Sequence, residues 1–194
     1  MSKRFLRNAD GQSLIEFAMA LPVIVLLALG VVETSWALLD AHIVTRLARE
    51  GSNLISRDTT PTDTVSALQG MSTRPVDFNA NSRVILSVIM NVPTVGAANY
   101  NTPVLYQRYE FGALAATSRL NTAGSGTFGP APDYQANNSD NNTGLRLTNL
   151  PPNVGTTLGG MTYVTEIFST HTLLTPIGNF GITMPQTLYS IAYF

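Results

Sequence analysis

From Phe17 to Leu39 the chain is apolar almost without interruption, and only Glu33, Thr34 and Ser35 break the run. No charged residue stands between Glu16 and Glu33. At about 1.5 Å per residue these 23 residues give a helix of roughly 35 Å, enough to cross a hydrocarbon core of about 30 Å. Past Leu39 the pattern changes rather than stops. Trp36, Leu39, Ile43, Leu47 and Leu54 recur at spacings of three, four and seven, with Asp40, Arg46, Arg49, Glu50 and Arg57 between them, the signature of an amphipathic helix. The spacing predicts one helix from about Gln12 to Ser56, roughly 68 Å long. Its first half suits lipid, and its second half carries an apolar stripe, Ile43, Leu47 and Leu54, that packs on a folded domain. Gly51 would cost about 1 kcal/mol in an exposed helix, so its expected use is close packing. Pro22 cannot donate to the carbonyl of Ala18, which predicts a kink or local loosening within the span.

Beyond this helix the period shortens. Arg57 to Pro61, RDTTP, is a break, and a short helix over about 63–71 follows, capped by Thr62 or Asp63. RVILSVIMNV, 83–92, is rich in β-branched residues, and VLYQRYEFGAL, 104–114, alternates; these predict two antiparallel strands joined by a loop over 93–103. Residues 117–160 are rich in Gly, Asn, Pro and Thr and read as a long polar surface excursion whose one apolar patch is Leu145 to Leu150. The C-terminal part predicts strands over 163–174 and 187–194 around a Gly/Pro loop. The expected fold class is therefore α+β: a long N-terminal helix, 12–57 with a transmembrane segment about 17–39, then a small domain over 58–194 with an antiparallel sheet.

Composition narrows the possible chemistry. The chain has 194 residues, of which 12% are charged, with 11 Lys plus Arg against 12 Asp plus Glu, so it offers no basic field for nucleic acid. It has no cysteine, which rules out disulfides, thiolate zinc sites and a cysteine nucleophile. Two histidines, His42 and His171, are the imidazole supply. Ser169 and His171 would share a strand face, but no G-x-S-x-G turn accompanies them. Glu110 and Glu166 could pair only if their strands were adjacent. Both acids, and His171, are expected on solvent-facing strand positions, and no enzyme is expected. In NNSDNNTG, Asn138, Asp140 and Asn142 alternate faintly as in a calcium loop, but the glycine falls one place late and no Glu follows. An ordinary polar turn is expected, with no cofactor or metal.

The ends of the apolar run carry the functional information. Lys3, Arg4 and Arg7 precede it, which predicts a cytoplasmic N-terminus and an exported remainder. A cleaved secretory signal would place its small residues after the apolar core, whereas here Gly11 stands before it and no A-x-A site follows closely. Glu16 lies at the start of the span, where a carboxylate drawn to the bilayer centre would cost about 2.5–3.5 kcal/mol. It either finds a partner or stays at the headgroup boundary. Glu33 is a partner-binding group or the point where the helix leaves the lipid, and the second reading is favoured.

The segment G-Q-S-L-I-E-F, with Gly11 at the junction of basic leader and apolar core, resembles the processing site of type IV prepilins. Adding L-P at Leu21 and Pro22, V-E at Val32 and Glu33, and A-R-E-G at Ala48 to Gly51, the chain resembles the TadE-like family of minor pilins in the Tad, or type IVc, pilus. Ser52 stands where alanine is more usual and Thr34 where an aromatic is common. The C-terminal Leu174, Pro176 and Gly178 also fall as in that family's L-x-P-x-G-like turn. The resemblance implies a pilin-like fold, a leader over 1–11, cleavage between Gly11 and Gln12 by a prepilin peptidase, and a role for Glu16 and Phe17 in processing and assembly. Glu16 would meet the new N-terminal amine of a neighbouring subunit. Implied partners are the peptidase, the major pilin and other minor pilins, and the assembly platform in the bacterial inner membrane, with a pilus or cell-surface destination. A different class of function, a permanently anchored periplasmic binding protein that is never processed, fits the same span.

Overall fold

A computed structural model describes residues 9–176, 178, 181 and 185–194; Lys3, Arg4 and Arg7 of the leader lie outside them. Helix α1 runs Ala9–Ile55 as one element with Pro22 inside it. Helix α2, Pro61–Met71, is followed by strands β1, Ser82–Asn91, β2, Pro103–Gly112, β3, Met161–Thr170, and β4, Thr187–Tyr193. They form one sheet in the order β2-β1-β3-β4, every neighbouring pair antiparallel. The α+β architecture is thus a long N-terminal helix and a small domain with a four-stranded antiparallel sheet.

The chain divides into two compact units. One contains the helix as far as Leu38 together with Leu173–Met184, the connection between β3 and β4; the other contains Leu39–Thr172 and Pro185–Phe194.

Within the second unit, α2 starts earlier than the sequence suggested. Thr60, not Thr62 or Asp63, is the N-cap, and its Oγ1 accepts the Asp63 N–H at 3.2 Å. Pro61 then occupies the first turn, where its missing N–H costs nothing and its fixed φ is already helical. Strand β1 is buried along nearly its whole length because both faces of the sheet are covered. On one face Val84, Leu86 and Val88 join Val44, Leu47, Ala48, Ile55, Val65, Leu68 and Ile167 in the main core. On the other, Ile89 and Val164 pack with Leu120. A bulge between Val88 and Ile89 skips Tyr106 on β2, and β2 ends at Gly112, whose φ of +131° and close approach to the Ser82 carbonyl leave no room for a Cβ.

The excursion over 117–160 runs over the surface as expected, exposed or half-buried along nearly its whole length, and is anchored at two buried leucines. Leu120 and Leu145 are buried, and Leu145 joins Val92, Val104 and Leu105 in a core of its own. Its asparagines are turn-makers and clamps. Asn138 and Asn153 hold positive φ, which asparagine tolerates better than most residues. Buried Asn99, from the β1–β2 connection, donates to the carbonyls of Ser139 at 2.7 Å and Asn142 at 2.9 Å and accepts from Arg146 Nε at 2.8 Å. The excursion read as polar because its anchoring is done by side-chain amides rather than by an apolar stripe.

Candidate functional site: the long helix and its acids

Along its first half, α1 presents large apolar side chains in every direction: Leu14, Ile15, Phe17, Met19, Val23, Ile24, Leu27 and Val31 are all more than half exposed. A helix that leaves large apolar side chains exposed on this scale belongs in lipid or in a bundle of like helices. Its stretch from Ser13 is long and apolar enough to cross a membrane. Gly11 and Gln12 fall within the helix. Glu16 and Pro22 are on its exposed surface.

The second half is buried along a stripe that starts at Asp40 and continues through Val44, Leu47, Ala48, Gly51, Ser52 and Ile55, spacings of three and four throughout. Of the residues assigned to this stripe from hydropathy, Leu47 is in the core, Ile43 is partly buried against it and Leu54 is half-buried. The face is rotated by one residue, so that Val44 and Ile55 take the inner positions. The cause is the small residues: Ala48, Gly51 and Ser52 add little hydrophobicity yet sit deepest. A Cβ on Gly51 would lie 2.8 Å from Thr165 Cγ2 and 3.2 Å from Leu68 Cδ1, so the glycine is what lets the helix backbone approach β3 and α2 so closely. Ser52 donates its hydroxyl to the Ala192 carbonyl at 2.9 Å.

Two acids lie on this same side of the helix, seven residues apart. Glu33 is fully buried. Its carboxylate accepts the backbone N–H of Leu174 at 3.1 Å, that of Thr175 at 2.9 Å and the Thr175 hydroxyl at 2.8 Å; it is held by protein rather than turned to water. Asp40, also buried, lies 2.8 Å through Oδ2 from His171 Nδ1. This corrects the expectation that His171 faces water. The strand ends at Thr170, and the chain beyond it delivers the imidazole to the helix.

The remaining catalytic candidates are likewise committed to structure. Ser169 donates to the Pro75 carbonyl at 3.0 Å and is joined to Ser82 Oγ at 2.9 Å. Glu110 and Glu166 both lie opposite Ile85, so β1 separates them. Glu110 pairs with Arg83. Glu166, expected on a solvent face, is buried. It accepts the Arg119 N–H at 2.8 Å, the Tyr189 hydroxyl at 3.0 Å and the Ser118 hydroxyl, which pins the start of the excursion to the sheet. Burial, reinforced by the Glu166 charge, pushes the Tyr189 phenol well above its usual range. Asp140 takes the Thr94 hydroxyl at 2.8 Å and Asn142 the Gly144 N–H at 3.0 Å. Among the described residues no group of His, Cys, Asp or Glu is arranged to hold a metal.

Residues 11–53 match the family model for TadE-like protein. Over that segment, less than a quarter of the chain, the sequence is similar to the TadE-like family. The TadE-like match contains Gly11, Glu16, Pro22, Glu33, Asp40, Leu47 and Gly51, and it stops two residues before the helix does. No curated relative and no solved structure matches the chain. The pairing of Asp40 with His171 was not foreseen from the sequence; the signal for Asp40 was its place one heptad beyond Glu33 and four residues before Val44, on the buried face.

Proposed function

We propose that the chain is a minor pilin or pseudopilin of a Tad-type pilus, made as an inner-membrane precursor with its N-terminus in the cytoplasm and cut between Gly11 and Gln12 by a prepilin peptidase. The observation that carries this reading is the division of α1: a half whose large apolar side chains are mostly exposed, joined without a break to a half that is built into a folded domain. A subunit made this way can be held in the membrane, then drawn out and packed helix to helix with the major pilin and other minor pilins. Removal of the basic leader frees an amine next to Glu16, and a neighbouring subunit's amine would be largely charged at neutral pH, with a pKa of about 7.7–8.0. Phe17 beside Glu16, and Pro22 within the span, shape the part of the helix that enters the bundle, where neighbours satisfy the carbonyl that Pro22 leaves free. The exported domain then serves assembly, tip formation or adhesion.

Replacing Gly11 by Trp tests the reading. The variant should accumulate in the membrane as uncut precursor by intact mass and be missing from sheared filaments. A wild-type protein that keeps its leader, with no filament association, would instead favour a permanently anchored periplasmic binding protein.

A further inference from the structure

We propose that the β3–β4 connection is a second membrane-contacting element, in which Leu173–Pro176, fastened to Glu33, rests at the headgroup–acyl boundary of the leaflet distal to the N-terminus. The inference rests on the reading of α1 as a membrane span.

Glu33 lies 16 residues beyond Phe17, about 24 Å along the helix and so still within a hydrocarbon core of about 30 Å that starts at Phe17. Trp36, one turn further, is the kind of residue that marks the boundary itself. An acid at that depth is costly unless its oxygens are satisfied, and unsatisfied backbone N–H groups are equally unwelcome there. Here the two problems cancel. The N–H groups of Leu174 and Thr175 and the Thr175 hydroxyl all donate to Glu33, which satisfies the carboxylate and these two backbone donors together. The loop's side chains stay open: Leu173 is 38% and Leu174 48% exposed, as are Val31 at 67% and Val32 at 46% on the helix, next in sequence to Glu33.

Sequence and contacts agree with this placement. The run LLTPIGNFGITMP, from Leu173 to Pro185, has no charged residue, and none occurs anywhere after Glu166. A connection between strands facing water is normally polar; this one has the composition of an interfacial segment. It also clusters with the apolar half of α1, whereas the strands it joins belong to the other unit. Lipid is the occupant that suits a surface continuous with a span whose large apolar side chains are mostly exposed. A second protein chain would have to cover the loop and the helix together.

Because the chain has no cysteine, single cysteines can be placed cleanly. The full-length protein carrying Leu174→Cys, labelled with an environment-sensitive fluorophore, is reconstituted in vesicles of phosphatidylethanolamine and phosphatidylglycerol containing a lipid with a nitroxide high on its acyl chain. The substitution keeps the backbone N–H that binds Glu33. Val25→Cys marks the span, and Val95→Cys, 82% exposed in the β1–β2 connection, marks the aqueous side. The expected result is loss of Leu174 fluorescence to the nitroxide comparable with that of Val25, and none at Val95. Adding Glu33→Ala should abolish most of the Leu174 quenching and leave Val25 unchanged, while Glu33→Gln, which keeps one acceptor, should retain part of it. A quenched Val25 with an unquenched Leu174 in polar surroundings overturns the proposal but not the span. An unquenched Leu174 in apolar surroundings overturns it in favour of a protein neighbour. An unquenched Val25 overturns the span and the proposal together. Leu174 quenching that survives Glu33→Ala refutes the role given to Glu33.

Discussion

Leu27 and Leu47 belong to one unbroken helix, yet the first is 66% exposed and the second 4%. From Phe17 the first half of α1 is wide in composition: leucine, isoleucine, valine and phenylalanine at every angle, with polar positions confined to the stretch Glu33 to Ser35. The second half buries a narrow stripe in which Ala48, Gly51 and Ser52 lie as deep as Val44 and Leu47. Large side chains all round suit a fluid, apolar solvent that needs no shape complementarity. Small residues on one face suit a fixed partner, because they let a sheet and a second helix approach the backbone. The helix is thus continuous in geometry and discontinuous in the kind of surface it expects to meet.

Truncations should split along this line. Leu47→Ala is expected to lower the unfolding free energy of the detergent-solubilised protein by about 2–5 kcal/mol, whereas Leu27→Ala should change it by no more than about 0.5 kcal/mol; urea titrations followed by near-UV circular dichroism measure both. Equal losses would erase the distinction between the halves. Adding volume is the sharper probe of the small-residue stripe. Gly51→Val must displace Thr165 or Leu68, and about 1–3 kcal/mol of destabilisation is expected in the same titration, even though valine is the better helix former. A gain in stability would show that the close approach at Gly51 is not needed. The smallest contrast lies between two serines. Ser52→Ala removes a buried bond to the Ala192 carbonyl and should cost about 0.5–1.5 kcal/mol, while Ser35, whose hydroxyl returns to the Val31 carbonyl of its own helix, should be replaceable by Ala with almost no effect.

What was legible in the sequence follows the same division. The apolar run, the period change after Leu39 and the four strands could be read because large residues at fixed spacings report directly on what is buried. The true face of the second half could not, since alanine, glycine and serine weigh little in any hydropathy pattern and Asp40 reads as a surface charge until His171 is brought to it. The same blindness applied to 117–160. The segment is polar and lies on the surface, as its composition says, but the groups that hold it down, Asn99, Arg146 and the Glu166 network, leave no apolar periodicity, and the two buried leucines, Leu120 and Leu145, are isolated. Glu33 was visible as an anomaly in the span, but the group that satisfies it comes from a connection 141 residues further along the chain, and long-range pairing of a carboxylate with backbone N–H groups leaves no local signature.

The most direct test of the proposal that α1 is a processed assembly helix is the N-terminal sequence and intact mass of the wild-type protein from two sources, washed membranes and sheared filaments. The expected result is a filament form that begins at Gln12 with residues 1–11 missing, alongside some full-length precursor in the membrane. A protein that starts at its original N-terminus in both fractions, or that never leaves the membrane fraction, would contradict it.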